Sequence, residues 1–226
     1  MRRVTVITAD VIGSRNLTGQ MDTWKRKVSG MRSSSLLTPF ELSRGDEIQA
    51  VTEGWLQNPG LVRRLRYVLR PAKIRVGLGI GLLDDVPSAS SPWDLSGPPF
   101  ILAREALETC LNSRGSGTAV KSGNETFDLI ASAMWSLVDA IQGRWTDGQW
   151  EAVQAYDTEG TYKKAAELLG VGLTSIAKRC RAARWETIKQ AEVALRALGE
   201  QLACVCPPMG ENDHFALWRV KCEVPK

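Results

Sequence analysis

Residues 162–185 read YKKAAELLGVGLTSIAKRCRAARW, and few other backbones suit this spacing of small, apolar and glycine residues. Ala166 is followed four positions later by Gly170, and Ile176 comes six positions after that. A small side chain at Ala166 lets a second helix approach the first. Gly170 accepts the left-handed backbone that turns the chain. Ile176, with Leu169 and Val171, fills the small core between the two helices. The spacing therefore predicts two short helices joined by a tight turn, with Thr174 at or near the N-cap of the second.

That second helix carries Lys178, Arg179, Arg181 and Arg184, with no acidic residue until Glu186. A basic helix following such a turn suits the major groove of duplex DNA, where its first turns meet base edges and its cations meet phosphates. The expected contacts are Thr174, Ser175, Lys178, Arg179, Arg181 and Arg184. An opening helix is expected from Trp145 onwards, capped by Thr146 or Asp147 and continuing through Trp150, Val153 and Tyr156. The region 144–202 resembles the terminal DNA-binding domain of sigma-type factors and related response regulators. The same residues also fit a helical hairpin that packs against a partner, with its cations simply solvated.

The character of the chain changes near residue 115. Before it, β-branched runs alternate with helical patterns. Residues 4–9 (VTVITA) read as a buried strand closing at Asp10, and residues 20–31 as a polar helix. Residues 40–43 and 48–52 read as two short strands joined by the turn chemistry of Gly45-Asp46-Glu47. Apolar residues at helical spacing predict a helix over 53–69, interrupted at Pro59-Gly60. Residues 73–83 (KIRVGLGIGLL) alternate as a core strand, and Gly77, Gly79 and Gly81 mark places where backbone or ligand comes close. A Ser- and Pro-rich loop leads to a helix over 100–111. This order suits a single sheet covered by helices on one face, a ferredoxin-like or palm domain. After residue 115 almost everything reads as helix, beginning with an apolar helix over 126–142. The fold class expected is α+β, with a palm-like α/β domain over 1–122 and an all-α helix-turn-helix domain over 123–226.

The carboxylates of the first domain fall at strand ends. Asp10 closes the first strand, and Asp46 and Glu47 occupy the hairpin tip. If these strands are neighbours, the acids converge as Mg²⁺ bound to a nucleotide phosphate requires. Asp10, Asp46 and Glu47 are thus candidate metal ligands, and Ser14, Arg75 and Arg104 join them as candidate ligand-binding residues.

Four blocks here resemble the SatD family: Asp10-Val11-Ile12-Gly13-Ser14, residues 45–49 (GDEIQ), residues 75–81 (RVGLGIG) and residues 97–106 (GPPFILAREA). They span roughly half the chain. The resemblance implies a two-domain protein in which such a domain is joined to a helix-turn-helix, and it implies no particular reaction. The first domain is also distantly similar to the palm of class III nucleotide cyclases and GGDEF-type diguanylate cyclases. That likeness implies two metals over a nucleoside triphosphate, held by Asp10 and by Asp46 or Glu47. The hairpin departs from the diguanylate cyclases, reading Arg44-Gly45-Asp46-Glu47 where they have a second glycine.

The expected function is a DNA-binding regulator controlled by a nucleotide in the first domain, with a homodimer on the DNA. Two alternatives stay open: an enzyme of the nucleotide cyclase or nucleotidyltransferase type, and an adaptor that binds protein through the helical domain. The net charge of +4 agrees weakly with an acidic partner. Five cysteines and no secretory segment favour reduced thiols and a cytoplasmic location. No apolar run reaches the roughly 18 residues of a membrane span. Cys204, Cys206, His214 and Cys222 are of zinc-ligand type but match no common zinc module. They fit better as small apolar thiols beside a terminal strand, with residues 203–206 and 215–224 as a wing. The one histidine, in that tail, leaves no Ser-His-Asp triad or Cys-His dyad.

Overall fold

The computed structural model describes residues 1–14, 18–43, 45–84, 86, 90–111 and 117–205. Five strands, β1 (Arg2–Val11), β2 (Glu41–Leu42), β3 (Glu47–Glu53), β4 (Ile74–Leu83) and β5 (Thr118–Lys121), form one mixed sheet in the order β2-β3-β1-β4-β5. β1 is antiparallel to both β3 and β4, whereas β4 and β5 run parallel. The helices are α1 (Met21–Ser29), α2 (Gly60–Leu69), α3 (Pro98–Leu111), α4 (Glu125–Gln142), α5 (Asp147–Glu159), α6 (Tyr162–Leu169), α7 (Leu173–Ala182) and α8 (Trp185–Val205). The chain is therefore α+β. No described helix is long and apolar enough to cross a membrane.

The two-residue alternation of β1 divides the core. Val4 and Val6 join Val51, Leu83 and Ala103 on the face covered by α3. Ile7, Ala9 and Val11 lie with Ile48, Ala50 and Leu78 on the other face, under Trp24 and Val28 of α1 and Leu61, Leu65 and Leu69 of α2. Helices thus cover both faces, not one. The reason is the glycine series on β4. A Cβ on Gly77 would sit 2.2 Å from the Ala103 carbonyl oxygen, and one on Gly79 would sit 2.0 Å from that of Pro99. The close approach anticipated at these glycines is made by the backbone of α3.

Two further expectations are corrected. The helix expected over 53–69 starts only at Gly60. Gly54 and Leu56 have φ of +76° and +53°, which no right-handed helix accommodates. Trp55 and Leu56 are apolar because they are buried in the core cluster, and α8 comes so close that a Cβ on Gly199 would meet the Trp55 carbonyl oxygen at 2.0 Å. The short parallel strand β5 was not anticipated.

The C-terminal helices continue the same core. Val138, Trp150, Val153, Ile176, Ile188 and Leu195 belong to one apolar cluster with the α2 side of the sheet. α4 packs on β5 and α8, and α5 packs on α6 and α7. Thr146 caps α5 in a reciprocal capping box with Gln149. Cys204 is exposed near the end of α8. The first strand of the wing, expected over 203–206, is not formed over 203–205, which are the last residues of α8; Cys206, His214, Cys222 and residues 215–224 lie outside the described residues.

Candidate functional sites

α6 ends at Gly170, whose φ of +63° puts it in the left-handed region, and its N–H reaches back to Ala166 and Glu167. Ile176 is fully buried beneath α6, Ala166 is buried, and Leu169 and Val171 pack on the same cluster. The N-cap of α7 is Gly172, with no side-chain cap bond. Thr174 stands instead in the first turn of α7, exposed to solvent.

Along α7, Thr174, Lys178 and Arg181 recur at positions i, i+4 and i+7, and all three are exposed. They form one stripe on the face away from Ile176 and Cys180. Ser175 and Arg179 are half-buried. The Arg179 guanidinium lies over the start of α5, 3.5 Å from where a Cβ on Gly148 would be. Arg184 follows the end of α7 with φ of +55°, in the turn to α8. None of the four cations is ion-paired with a described residue. Behind the stripe, burial pushes the Cys180 thiol up to about 11, so this cysteine is core packing and not a nucleophile.

At the C-terminal end of β1, the antiparallel register sets Asp10 opposite Glu47 on one side and Arg75 on the other. All three project to the α3 face. Arg75 Nη1 donates to Asp10 Oδ2 at 3.4 Å. Ser14 Oγ donates to Asp46 Oδ2 at 2.5 Å, and the backbone N–H of Val11 donates to the Asp46 carbonyl at 3.3 Å. Asp46 thereby comes within hydrogen-bonding reach of Asp10. Burial and the neighbouring Asp46 charge raise the Asp10 carboxyl above its ordinary range, against the opposing pull of Arg75.

Glu47 turns the other way. Its carboxylate accepts from Arg104 Nη1 of α3 at 2.7 Å, and this bond, with the Glu47 charge, raises the Arg104 guanidinium further. The glycine series of β4 is what brings α3, and so Arg104, to this edge. The structure therefore brings together all six residues expected at the strand ends, as an Asp10–Asp46 pair flanked by Arg75 and Ser14 and a separate Glu47–Arg104 pair. Among the described residues no group of three acids, cysteines or histidines is placed to hold a metal ion.

A third polar cluster had no counterpart in the sequence expectations. Arg63 and Arg66 of α2, with Arg70 just past its end, recur at i, i+3 and i+7 and face the C-terminal helices. Arg63 bonds Asp157 of α5 and Glu192 of α8, each at 2.9 Å, and lies 4.6 Å from the Trp185 ring centroid. Arg66 pairs with Asp139 of α4 at 2.5 Å, and Arg70 pairs with Asp147. The available signal was three arginines at helical spacing inside an apolar pattern, which buries a second stripe of the helix.

The model of the SatD family matches residues 5–193, which takes in nearly all of the sheet, the Asp10–Asp46 and Glu47–Arg104 pairs, and the helices through the first nine residues of α8. No curated protein matches the chain.

Proposed function

The chain belongs to the SatD family, and we propose that it is a DNA-binding regulatory protein in which α6 and α7 form a helix-turn-helix. The observation that carries this reading is the exposed Thr174–Lys178–Arg181 stripe following the left-handed turn at Gly170. Thr174 and Ser175 sit in the first turn of α7, where a reading helix meets base edges. Lys178 and Arg181 supply cations toward the phosphates on either side. Arg179, laid over the start of α5, contributes less. A helix of this size binds weakly alone, so a homodimer on duplex DNA completes the reading. The test is anisotropy of a labelled mixed-sequence duplex at low and moderate salt. Salt-sensitive binding that is lost in a Lys178→Ala/Arg181→Ala variant supports it, and equal behaviour of the two proteins sinks it.

The regulatory input in this reading is a nucleotide at the end of β1. The strand order β2-β3-β1-β4, with β1 antiparallel to both neighbours, agrees with a ferredoxin-like, palm-type core. Two adjacent carboxylates, one of them raised by burial and by the charge of the other, are a suitable seat for Mg²⁺, which commonly takes one or two protein carboxylates and completes its shell with phosphates and water. Asp10 and Asp46 would hold it, Ser14 orients Asp46, and the ion supplies charge neutralisation for the phosphates. Arg75 and Arg104 stand on either side to meet anionic oxygens. Glu47 is engaged by Arg104 and is the less available ligand. A ligand here regulates only if it favours one state of the DNA-binding helices over another.

A second reading, an enzyme of the nucleotidyltransferase or cyclase type, rests on the same Asp10–Asp46 pair. It requires turnover of a nucleoside triphosphate that disappears in Asp10→Ala and Asp46→Ala.

A further inference from the structure

α4 turns its internal charges inward and its large apolar side chains outward. Asp128 is 7% exposed and accepts from the hydroxyl and backbone N–H of Ser122, while Asp139 is engaged by Arg66. Leu129, by contrast, is 72% exposed, Leu137 69% and Ile130 44%. Thr126, Ala133, Ser136 and Ala140 complete the exposed surface of this stretch. Although 24% of the chain is charged, none of these exposed positions is. A helix that faces water carries the opposite arrangement. Leu129, Ile130, Ala133, Leu137 and Ala140 fall on one side of the helix, at i, i+1, i+4, i+8 and i+11. Their apolar surface is on the order of the few hundred Å² at which an exposed patch marks an interaction site.

The pattern is symmetric about Ala133. Leu129 and Leu137 stand four residues before and after it, and Thr126 and Ala140 stand seven before and after. A two-fold axis through Ala133, with the helices antiparallel, therefore seats Leu129 on Leu137 of the partner subunit, and the same contact forms again across the axis. Thr126, Ala133 and Ala140 form a line of small side chains along the middle of the face, which lets two such helices come close. The ends agree in charge. Glu125 is exposed at the start of α4 and Arg144 just past its end, and neither is ion-paired with a described residue. Antiparallel pairing brings the Arg144 of each copy to the Glu125 end of the other. Between those ends, a neutral face offers a foreign partner no charge pattern by which to be selected.

We propose that the outer face of α4 is a self-association surface, through which two copies of this chain pair about a two-fold axis at Ala133. A helix of 18 residues is about 27 Å long. Its pairing falls at or below the low end of specific interfaces, roughly 1,200 Å² in total, so dimer and monomer should exchange at micromolar concentration. This surface supplies the homodimer of the DNA-binding reading. It rests on that reading for its purpose only, because α4 carries none of the residues assigned to DNA.

The experiment is sedimentation velocity of the full chain, without DNA, over a micromolar concentration series. Wild type should pass from monomer to dimer. Leu129→Lys and Leu137→Glu each set a charge against an apolar side chain, and each alone should weaken dimerisation at least about tenfold. Mixed in equal amounts, the two variants should regain the dimer. The new cation of one copy then meets the new carboxylate of the other, and the second Leu129–Leu137 contact is intact. Both positions are exposed and both replacements are good helix formers, so far-UV circular dichroism should not change. Lys178→Ala/Arg181→Ala should dimerise as wild type does, which separates loss of the dimer from loss of DNA binding. The proposal is overturned if wild type stays monomeric throughout the series, if either single variant dimerises like wild type, or if the mixture stays monomeric. A monomeric wild type that loses thermal stability in Leu137→Glu also overturns it, and would assign the face to another part of the same chain.

Discussion

Arg63 Nε and Glu192 Oε1 meet 2.9 Å apart, joining α2 beside the sheet to α8 at the far end of the chain. The Arg63 side chain is only 3% exposed, and its second bond goes to Asp157. Burial works to lower the Arg63 guanidinium, but Glu192 and Asp157 together hold it above its ordinary value. Burial raises the Glu192 carboxyl even with Arg63 beside it.

Removing the cation should therefore be severe. Arg63→Met leaves Glu192 buried without its partner, a change that typically costs roughly 3–5 kcal/mol. For a chain of this size that lowers Tm by roughly 6–20 °C. The sign with pH follows from Glu192. Its folded value lies above the ordinary one, so the charged form carries the penalty, and protonation relieves it. The gap between variant and wild type should narrow as pH falls through the acid range. A gap that is independent of pH, followed by thermal unfolding, would refute this account.

Gly79 tells the same story sterically. A Cβ there would stand 2.0 Å from the Pro99 carbonyl oxygen and 2.3 Å from the Ala103 nitrogen, both backbone atoms of α3. Gly79→Ala must lift α3 off the sheet, at the upper end of overpacking costs or beyond, about 3 kcal/mol. Urea unfolding should show this loss, and the displaced helix should also break the Arg104–Glu47 bond. A midpoint unchanged from wild type would mean that α3 does not need this contact.

What could be read from the residues was local. β1, β3 and β4 were visible because period-two alternation and the GLGIG run leave little choice of backbone. The α6–α7 turn was visible because Gly170 and Ile176 each have one physical task. What was hidden depends on contacts distant in sequence. β5 contributes four residues, too few for alternation to register, and exists as a strand because β4 offers it an edge. Trp55 and Leu56 imitated a helix because burial under α8 demands apolar residues whatever the backbone does. At the strand ends, the convergence of Asp10 with Asp46 was legible from their positions. The turning of Glu47 toward Arg104 was not, since it depends on where the β4 glycines let α3 rest.

The Asp10–Asp46 pair carries a pH signature. The folded value of Asp10 is raised, so its neutral form is favoured in the fold, and that stability is lost as pH rises through the raised value. Asp10→Asn should accordingly be slightly more stable than wild type at neutral pH. The advantage should vanish once pH falls below the ordinary carboxylate range. Added Mg²⁺ should raise the wild-type Tm and leave Asp10→Asn unmoved. A wild type that ignores Mg²⁺ both with and without nucleoside triphosphate would remove the metal from the proposed function.

The α7 stripe predicts a salt dependence in detail. If the exposed cations Lys178, Arg181 and Arg184 each neutralise one phosphate, log K should fall against log salt with a slope of about −2.7. That is a loss of roughly 40-fold between 50 and 200 mM salt. Each alanine substitution at Lys178 or Arg181 should make the slope shallower by about 1. Arg179→Ala should change it much less, because that guanidinium lies against the start of α5 and not out in solvent. This ordering separates groove binding from nonspecific attraction to a basic surface, in which all four cations would count alike. Equal effects at Arg179 and Arg181 would therefore argue against α7 as the reading helix even if the protein binds DNA.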